Sequence, residues 1–461
     1  LRGFLRDLFR KAPAPVLEWG QLAYHLLPRT WRYGKAFKDA LALFAQSESW
    51  DQETLVTYQE RLLEPLLAHC YENVPYYREV FQERDLKPRD IQSIADLSKL
   101  PVHTKEIVRN RYRDLIAANV SAVGRESART SGSSGSPLEF FMDGTTRSVE
   151  RALALRRLLW LDYRPTDVLA YFKVLPLSNP DRFIRYFPGA RELRISFHNS
   201  DDERLAQMVE ALNRFRPAFM DGWPSCMLVL ARWLERTGKS IPAPRYIATS
   251  SENLFPETRR TIENVFKAPV IDFYGQEESV AAAMQCRFAA GYHVQMEVAV
   301  LELLPVQESE VAQVVGTCLH NRAMPLIRYR TGDLAIKGDQ GPCACGRKHW
   351  TVAGFIGREA DVVWTPENQM VSSLVLHYVF YDFDEIKEAQ IIQEDLSTLR
   401  ILVVPWEKLS DETRKGMLKE TRSRLQSPGM TLIVQAVDEI PATPGGKRPF
   451  MVSRLSSKDR L

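Results

Sequence analysis

The chain has 461 residues, 45% hydrophobic and 26% charged, which is ordinary globular material with room for roughly two to four domains. A formal net charge of +3 is small for this length. It argues against a dedicated nucleic-acid binder, and the absence of any run of roughly eighteen apolar residues argues against a transmembrane helix.

At the N-terminus, Leu1 to Lys11 alternates apolar and basic residues at helical spacing, without the apolar core and cleavage site of a signal peptide. It reads as a surface helix packed on the first domain, with weak peripheral membrane contact as the alternative. Residues 1–95 read as largely helical. Trp50 to His69 places apolar residues three and four apart, and Asn73-Val-Pro-Tyr-Tyr then breaks the pattern.

The middle of the chain alternates short apolar runs with helical patterns. Val168 to Val174, Arg245 to Thr249 and Val270 to Tyr274 read as strands; Asp202–Arg214 and Ser225–Arg236 read as helices. That alternation predicts an α/β fold with substantial parallel sheet. After residue 356 the composition shifts. Asp361 to Trp364, Leu399 to Val404 and Leu432 to Val437 read as strands around a helix at Asp411–Leu425, which fits a small α+β domain. The expected division is therefore 1–356 and 357–461. No internal repeat or low-complexity tract is present.

The most informative stretch is Arg129-Thr-Ser-Gly-Ser-Ser-Gly-Ser-Pro137. Two glycines, a cluster of hydroxyls and a closing proline make a loop dense in donors, able to wrap N–H groups around phosphate oxygens. Such a string arises by chance on the order of 10⁻³ or less per chain. No Gly-Lys-[Ser/Thr] follows it, so it is not a Walker loop, and the Gly-x-Gly-x-x-Gly spacing of a dinucleotide fold is absent. The bland alternative is a flexible Ser/Gly linker.

Other short stretches accompany the loop: Ser251-Glu-Asn, Asp272-Phe-Tyr-Gly-Gln-Glu-Glu278, Tyr329-Arg-Thr-Gly-Asp333, Gly357-Arg358 and Pro441-Ala-Thr-Pro-Gly-Gly-Lys447. Singly, each is ordinary turn chemistry or a solvated strand end. In this order the set resembles the adenylate-forming superfamily of acyl-CoA synthetases, adenylation domains and luciferases. Within it, the chain looks most like the phenylacetate–CoA ligase/CapK branch, over nearly its whole length.

The resemblance implies a large adenylation domain with mixed sheets and a helical N-terminal segment, followed by a small mobile C-terminal domain. It implies a reaction in which a carboxylic acid and ATP give an acyl-AMP and pyrophosphate. Two anions must meet, so positioning and electrostatic stabilisation dominate. By resemblance, Thr130, Ser131, Gly132, Ser133, Ser134 and Gly135 hold the leaving phosphates. Ser251, Glu252 and Gly275 belong to the nucleotide site, and Tyr274 lies against adenine. Glu278 holds Mg²⁺, Asp333 accepts from the ribose hydroxyls, and Arg358 also reaches the ribose. Lys447 is the catalytic lysine, its point charge neutralising the carboxylate and the α-phosphate. Two departures stand out: the family's usual hinge position holds Ala360, with Asp361 next to it, and Pro449 and Phe450 follow Arg448 where more basic residues are usual.

Six cysteines are spaced irregularly at 70, 226, 286, 318, 343 and 345. In a chain expected to be cytoplasmic they read as free thiols or a metal site rather than disulfides. Cys286, His293, Cys343 and Cys345 form a candidate Cys₃His zinc set, with His349 as a competing fourth ligand. Free cysteines are the alternative, and similar Cys/His sets in the resembled branch favour zinc. Four protein ligands leave no open position, so the role is structural. By resemblance, Phe140, Phe141, Trp223, Pro224, Ser251 and Phe273 are candidate walls of the acid pocket, with core packing as the alternative; the Phe and Trp residues suit an aromatic or flat acid, and Phe197 is a further candidate. The acceptor is open between CoA and an amine. Trp31-Arg-Tyr-Gly and Trp50-Asp-Gln-Glu look more CapK-like, which points towards polysaccharide or secondary-metabolite modification. The competing reading is a nucleotide-binding relative without chemistry.

Overall fold

The computed structural model describes residues 29–130, 138–173, 183–197, 201–306, 310–338, 341–358, 362–367, 370–372, 376, 379–380, 383–441 and 448–455. The N-terminal Leu1 to Lys11 pattern lies outside them. From residue 29 the chain is helical, as the periodicity predicts: α1 (Arg29–Tyr33), α2 (Lys35–Ser47), α3 (Gln52–Asn73) and α4 (Pro75–Glu83). Asp51 caps α3, its side chain accepting from the Thr54 N–H. The break at Asn73-Val-Pro is steric. Val74, ahead of Pro75, is forced into the extended region, and Pro75 then opens α4. Leu66, Leu67, Tyr77 and Phe81 from these helices pack against Met324, Ile327 and Tyr329 in one core cluster.

After α5 (Lys105–Asn110), β1 (Arg125–Arg129) and β2 (Glu139–Asp143) form an antiparallel ribbon. Asp143 then caps α6 (Gly144–Leu159) through the Thr146 N–H. The main sheet takes the next twelve strands. These are β3 (Leu169–Lys173), β4 (Ile184–Phe187), β5 (Glu192–Ser196), β6 (Phe219–Gly222), β7 (Tyr246–Ser250), β8 (Val270–Gly275), β9 (Ala282–Gln285), β10 (Tyr292–Val294), β11 (Ala299–Pro305), β12 (Val311–Cys318), β13 (Tyr329–Lys337) and β14 (Thr351–Arg358). Their spatial order is β11-β12-β13-β14-β10-β9-β8-β7-β6-β3-β5-β4.

The sheet has two halves. Strands β5, β3, β6, β7 and β8 are mutually parallel, and from β8 through β9, β10, β14, β13 and β12 to β11 every pairing is antiparallel. Parallel strands need crossovers. Helices α7 (Asp202–Phe215), α8 (Pro224–Thr237) and α9 (Pro256–Phe266) supply them between β5 and β6, β6 and β7, and β7 and β8. Proline at the first turn starts α8 and α9, and left-handed Gly238 ends α8. The mixed sheet is the α/β architecture expected.

The remaining strands are β15 (Val362–Trp364), β16 (Met370–Ser372), β17 (Ile386–Asp395), β18 (Thr398–Pro405), β19 (Thr431–Ala436) and β20 (Met451–Ser453). A separate sheet runs β19-β18-β17-β20, and α10 (Asp411–Leu425) crosses from β18 to the parallel β19, capped by Ser410. This unit has its own core, including Ile391, Leu399, Ile401 and Met417. Gly357 and Arg358, expected at its start, instead end β14 inside the main sheet. Leu334 pairs with Gly357 and Asp333 with Arg358. Sheet pairing therefore carries the large unit through residue 358.

Candidate functional site

The parallel half of the sheet delivers its carboxyl ends to one place, where ligands of open α/β sheets bind. Trp223 and Pro224 follow β6, Ser250 and Ser251 end β7, and Tyr274 and Gly275 end β8. All of them line a cavity of ≈590 Å³, together with Thr130, Phe273, Glu278, Asp333 and Gly357. The small unit closes it with Lys387, Glu388, Arg448 and Phe450. Arg232 on α8 donates to the Ile386 carbonyl at 2.8 Å, and Phe255 meets Phe450 edge-on at 5.8 Å, so the two units are in contact beside this cavity.

Thr130 pins the ends of the glycine loop. Its N–H donates to the Leu138 carbonyl at 2.9 Å and its hydroxyl accepts from the Leu138 N–H at 2.8 Å. Ser131, Gly132, Ser133, Ser134 and Gly135 lie outside the described residues, as do Lys447, Ala360 and Asp361. Arg358 is placed by its backbone only. Arg448, next to Lys447, lines the cavity and donates to the Ile440 carbonyl.

The expected nucleotide residues converge. The Tyr274 hydroxyl donates to Asp333 at 2.7 Å, and Gln276 hydrogen-bonds that same hydroxyl. Tyr274 stacks on Phe355 with centroids 3.5 Å apart and planes 9° off parallel. Glycine at 275 is required because a Cβ there would sit 2.7 Å from the Phe273 ring. Thr331-Gly332-Asp333 lies in β13 where its register against β12 shifts; the irregularity uses Gly332 at φ +81°, and the Thr331 hydroxyl accepts from the Asp333 N–H at 3.0 Å. Glu278 is buried and accepts from the Tyr329 hydroxyl at 3.3 Å. Ser251 holds a left-handed φ of +71°, the kind of backbone strain that gathers at ligand sites.

One expectation changes. Phe140 and Phe141 do not reach the cavity. On β2 successive side chains point to opposite faces, so Phe140 enters the helical core while Phe141 packs against Tyr112 and under Arg125. Glu252 lines the cavity but also accepts from the Ser225 N–H at 3.0 Å, satisfying an open donor in the first turn of α8. Phe355 and Gln276 also belong to this arrangement. Gln276 lies inside the Asp272–Glu278 string, whereas Phe355 is brought to Tyr274 only by the register of β14.

The Asp272 carboxyl is fully buried, which pushes its pKa up to about 6. It accepts from Thr249 at 2.6 Å and from Tyr292 at 2.8 Å, tying β7, β8 and β10 together behind the site.

The cysteine set is assembled by the β9–β10 turn and the loop before β14. One ligating atom from each of Cys286, His293, Cys343 and Cys345 lies within 4.8 Å of all the others. The Cys286 and Cys343 sulfurs are 3.6 Å apart, and the Cys345 sulfur is 3.5 Å from His293 Nε2. A tetrahedral zinc with Zn–S near 2.3 Å and Zn–N near 2.0–2.1 Å has an S–S edge of about 3.8 Å and an S–N edge of about 3.6 Å. A disulfide would need sulfurs about 2.05 Å apart. The donor set therefore fits zinc. Burial holds His293 down at about 4, so its imidazole is neutral as a ligand must be. His349 is committed elsewhere, its Nε2 lying 3.1 Å from Glu297 Oε1.

The strand order and the small second unit form a fold that is shared with a coenzyme A ligase of known structure. The structure superimposes on the crystal structure of 2-hydroxyisobutyryl-CoA ligase in the postadenylation state with a TM-score of 0.69 at 19% identity, covering 90% of this chain and 92% of that one. Within that class the chain is a homologue of Protein CapK and of the phenylacetate–coenzyme A ligases. It is 22% identical over 417 residues to Protein CapK of Staphylococcus aureus, covering 87% of this chain and 90% of that protein. It is 26% identical over 330 residues to the phenylacetate-coenzyme A ligase of Thermus thermophilus, covering 68% and 73%. Residues 363–454 match the CapK C-terminal domain family. These matches place the chain among homologues of coenzyme A ligases. Among the described residues, no helix is long and apolar enough to cross a membrane.

Proposed function

We propose that this protein is an ATP-dependent ligase that activates a carboxylic acid as its acyl-AMP. The acid's carboxylate attacks the α-phosphate, the bond to the β-phosphate breaks and pyrophosphate leaves. The acyl group then passes to a CoA thiol or an amine, releasing AMP. The observation that carries this reading is the single cavity shared by Thr130, Tyr274, Glu278 and Asp333 of the large unit and Arg448 of the small one. In it, the paired Tyr274 and Asp333 suit an adenosine, and the buried Glu278 carboxylate suits Mg²⁺ beside phosphate oxygens. Ser131 to Gly135 would supply donors to the leaving pyrophosphate, and Lys447 the positive charge that a Walker lysine provides elsewhere. The zinc set is a structural pin that ties the β9–β10 turn to the loop leading into β14 and Gly357. Removing it would loosen the strand that carries Phe355 to Tyr274.

ATP–pyrophosphate exchange across aromatic, uronic and amino acids tests the first half-reaction, and repeating the productive reactions with CoA or with amines tests the second. Acid-dependent exchange is the expected result. Tight ATP binding without exchange for any acid would leave a nucleotide-binding relative instead. Thioester formation on adding CoA selects the CoA ligase; acylated amine without CoA selects the amide ligase and fits a role in polysaccharide or secondary-metabolite modification.

A further inference from the structure

One buried cation in the cavity is not used by the nucleotide reading. Arg157, on α6, lines the cavity with Leu153, Phe197, Trp223 and Phe273. Its Nη2 donates to the Asp221 carboxylate of β6, and both side chains are at least nine-tenths buried (9% and 5% exposed). The guanidinium carbon stands 5.4 Å from the centre of the Phe273 ring. Its Nε is buried and has no hydrogen-bond partner among the described residues. A ring face is a poor substitute for an acceptor oxygen.

Strand geometry separates this cation from the adenosine side. Phe273 and Tyr274 are consecutive on β8 and so point to opposite faces. Tyr274 turns to Asp333 and Phe355; Phe273 turns to Arg157. Arg157 therefore borders the part of the cavity walled by Phe273, Trp223 and Leu153, which is left for the acid.

We infer that Arg157, held by Asp221, selects acids that carry an uncharged hydrogen-bond-accepting oxygen, a hydroxyl or carbonyl, away from the reacting carboxylate. This rests on the adenylation reading above. The charge state of the oxygen follows from the pairing: Asp221 already neutralises Arg157, and Arg147, the other cation of α6 in the cavity, is paired with Glu150 at 3.0 Å, so a second carboxylate on the substrate would enter as an unmatched buried anion. A site built to donate a hydrogen bond rejects the analogue that leaves its donor unpaired. The expected discrimination is roughly ten- to hundredfold in kcat/KM.

The test is acid-dependent ATP–pyrophosphate exchange with matched acids: phenylacetate against its ring-hydroxylated forms, and hexanoate against its hydroxy and oxo derivatives and its dicarboxylate counterpart. The wild type should favour one or more neutral oxygenated members over the deoxy and dicarboxylate members by at least tenfold. Arg157→Met should erase that preference while leaving the KM for ATP within about twofold, a small change on the free-energy scale. Because Arg157→Met strands a buried Asp221, the double variant Arg157→Met/Asp221→Leu provides the same comparison in a protein without the unpaired charge. Exchange with no oxygen preference in the wild type, or a preference that survives in both variants, overturns the inference and leaves adenylation standing. No exchange with any acid overturns both.

Discussion

The zinc reading makes a prediction whose size follows from the geometry. The Cys286–Cys343 and Cys345–His293 separations of 3.6 and 3.5 Å differ from the edges of a zinc tetrahedron, about 3.8 and 3.6 Å, by only a few tenths of an ångström. Little rearrangement is needed, so the site is nearly preformed. At free zinc one hundred times Kd, linkage alone adds about 2.7 kcal/mol to folding. At roughly 2–4 °C per kcal/mol for a large domain, that is a rise of about 5–11 °C in Tm. The perturbation is chelation, or Cys345→Ser, which keeps the size of the side chain and removes the thiolate. Purified protein should hold one zinc per chain, and cobalt substitution should show the thiolate charge-transfer bands and tetrahedral d–d absorption of an S₃N site. Trp160, edge-on to His293 at 5.7 Å, reports the change by fluorescence during urea unfolding. Protein prepared without chelator that holds less than a tenth of an equivalent of zinc, and takes up neither zinc nor cobalt, would refute the reasoning.

Other outcomes are accessible to simple measurements. Lys447→Ala should lower acyl-adenylate formation by roughly 10²–10³-fold or more while ATP binding survives; near-normal ATP–pyrophosphate exchange would remove Lys447 from its role. Arg156→Met leaves Glu297 buried beside an empty position. The pair is 2.9 Å apart and almost fully buried, and although burial alone would raise the Glu297 carboxyl, Arg156 and His349 hold it well below the usual range. The loss should be about 3–5 kcal/mol in urea unfolding, partly recovered in Arg156→Met/Glu297→Gln. His103 is buried, its Nδ1 hydrogen-bonded to the Ile327 carbonyl, and burial brings its pKa down to about 4. A folded pKa below the unfolded value means that the unfolded chain binds the extra proton, so stability falls as pH drops from 6.5 towards 4. Between pH 7 and 5 this amounts to about 2 kcal/mol, and His103→Phe should flatten that part of the stability profile, as read by urea midpoints across pH.

Much of the site was legible because its residues sit in contiguous strings with their own turn chemistry. Tyr274-Gly275 ends a strand whose apolar run is visible, and Thr331-Gly332-Asp333 needs a left-handed glycine. The candidate zinc set was visible as residue types that need a partner, although spacing could not choose between His293 and His349. The fold makes the choice: His293 Nε2 lies 3.5 Å from the Cys345 sulfur, whereas His349 engages the Glu297 carboxylate. Phe140 and Phe141 show the limit of reading aromatics: both look like pocket walls beside a glycine loop, yet strand alternation sends them to opposite faces of β2 and neither reaches the cavity.

Local physics thus settled the elements. Periodicity, caps and prolines set the helices, short β-branched and apolar runs set the strands, and glycine-containing strings marked the candidate nucleotide side. Long-range pairing settled everything that depends on distance in the chain. The β13–β14 register places Arg358 opposite Asp333 and keeps it in the large sheet, and the stacking of Phe355 on Tyr274 follows from the same strand. The Arg157–Asp221 pair joins residues on α6 and β6 that no motif links. A side chain's sequence neighbours determine its backbone conformation, but its ligand is determined by which face of which strand it shares, and that is decided only when the sheet forms.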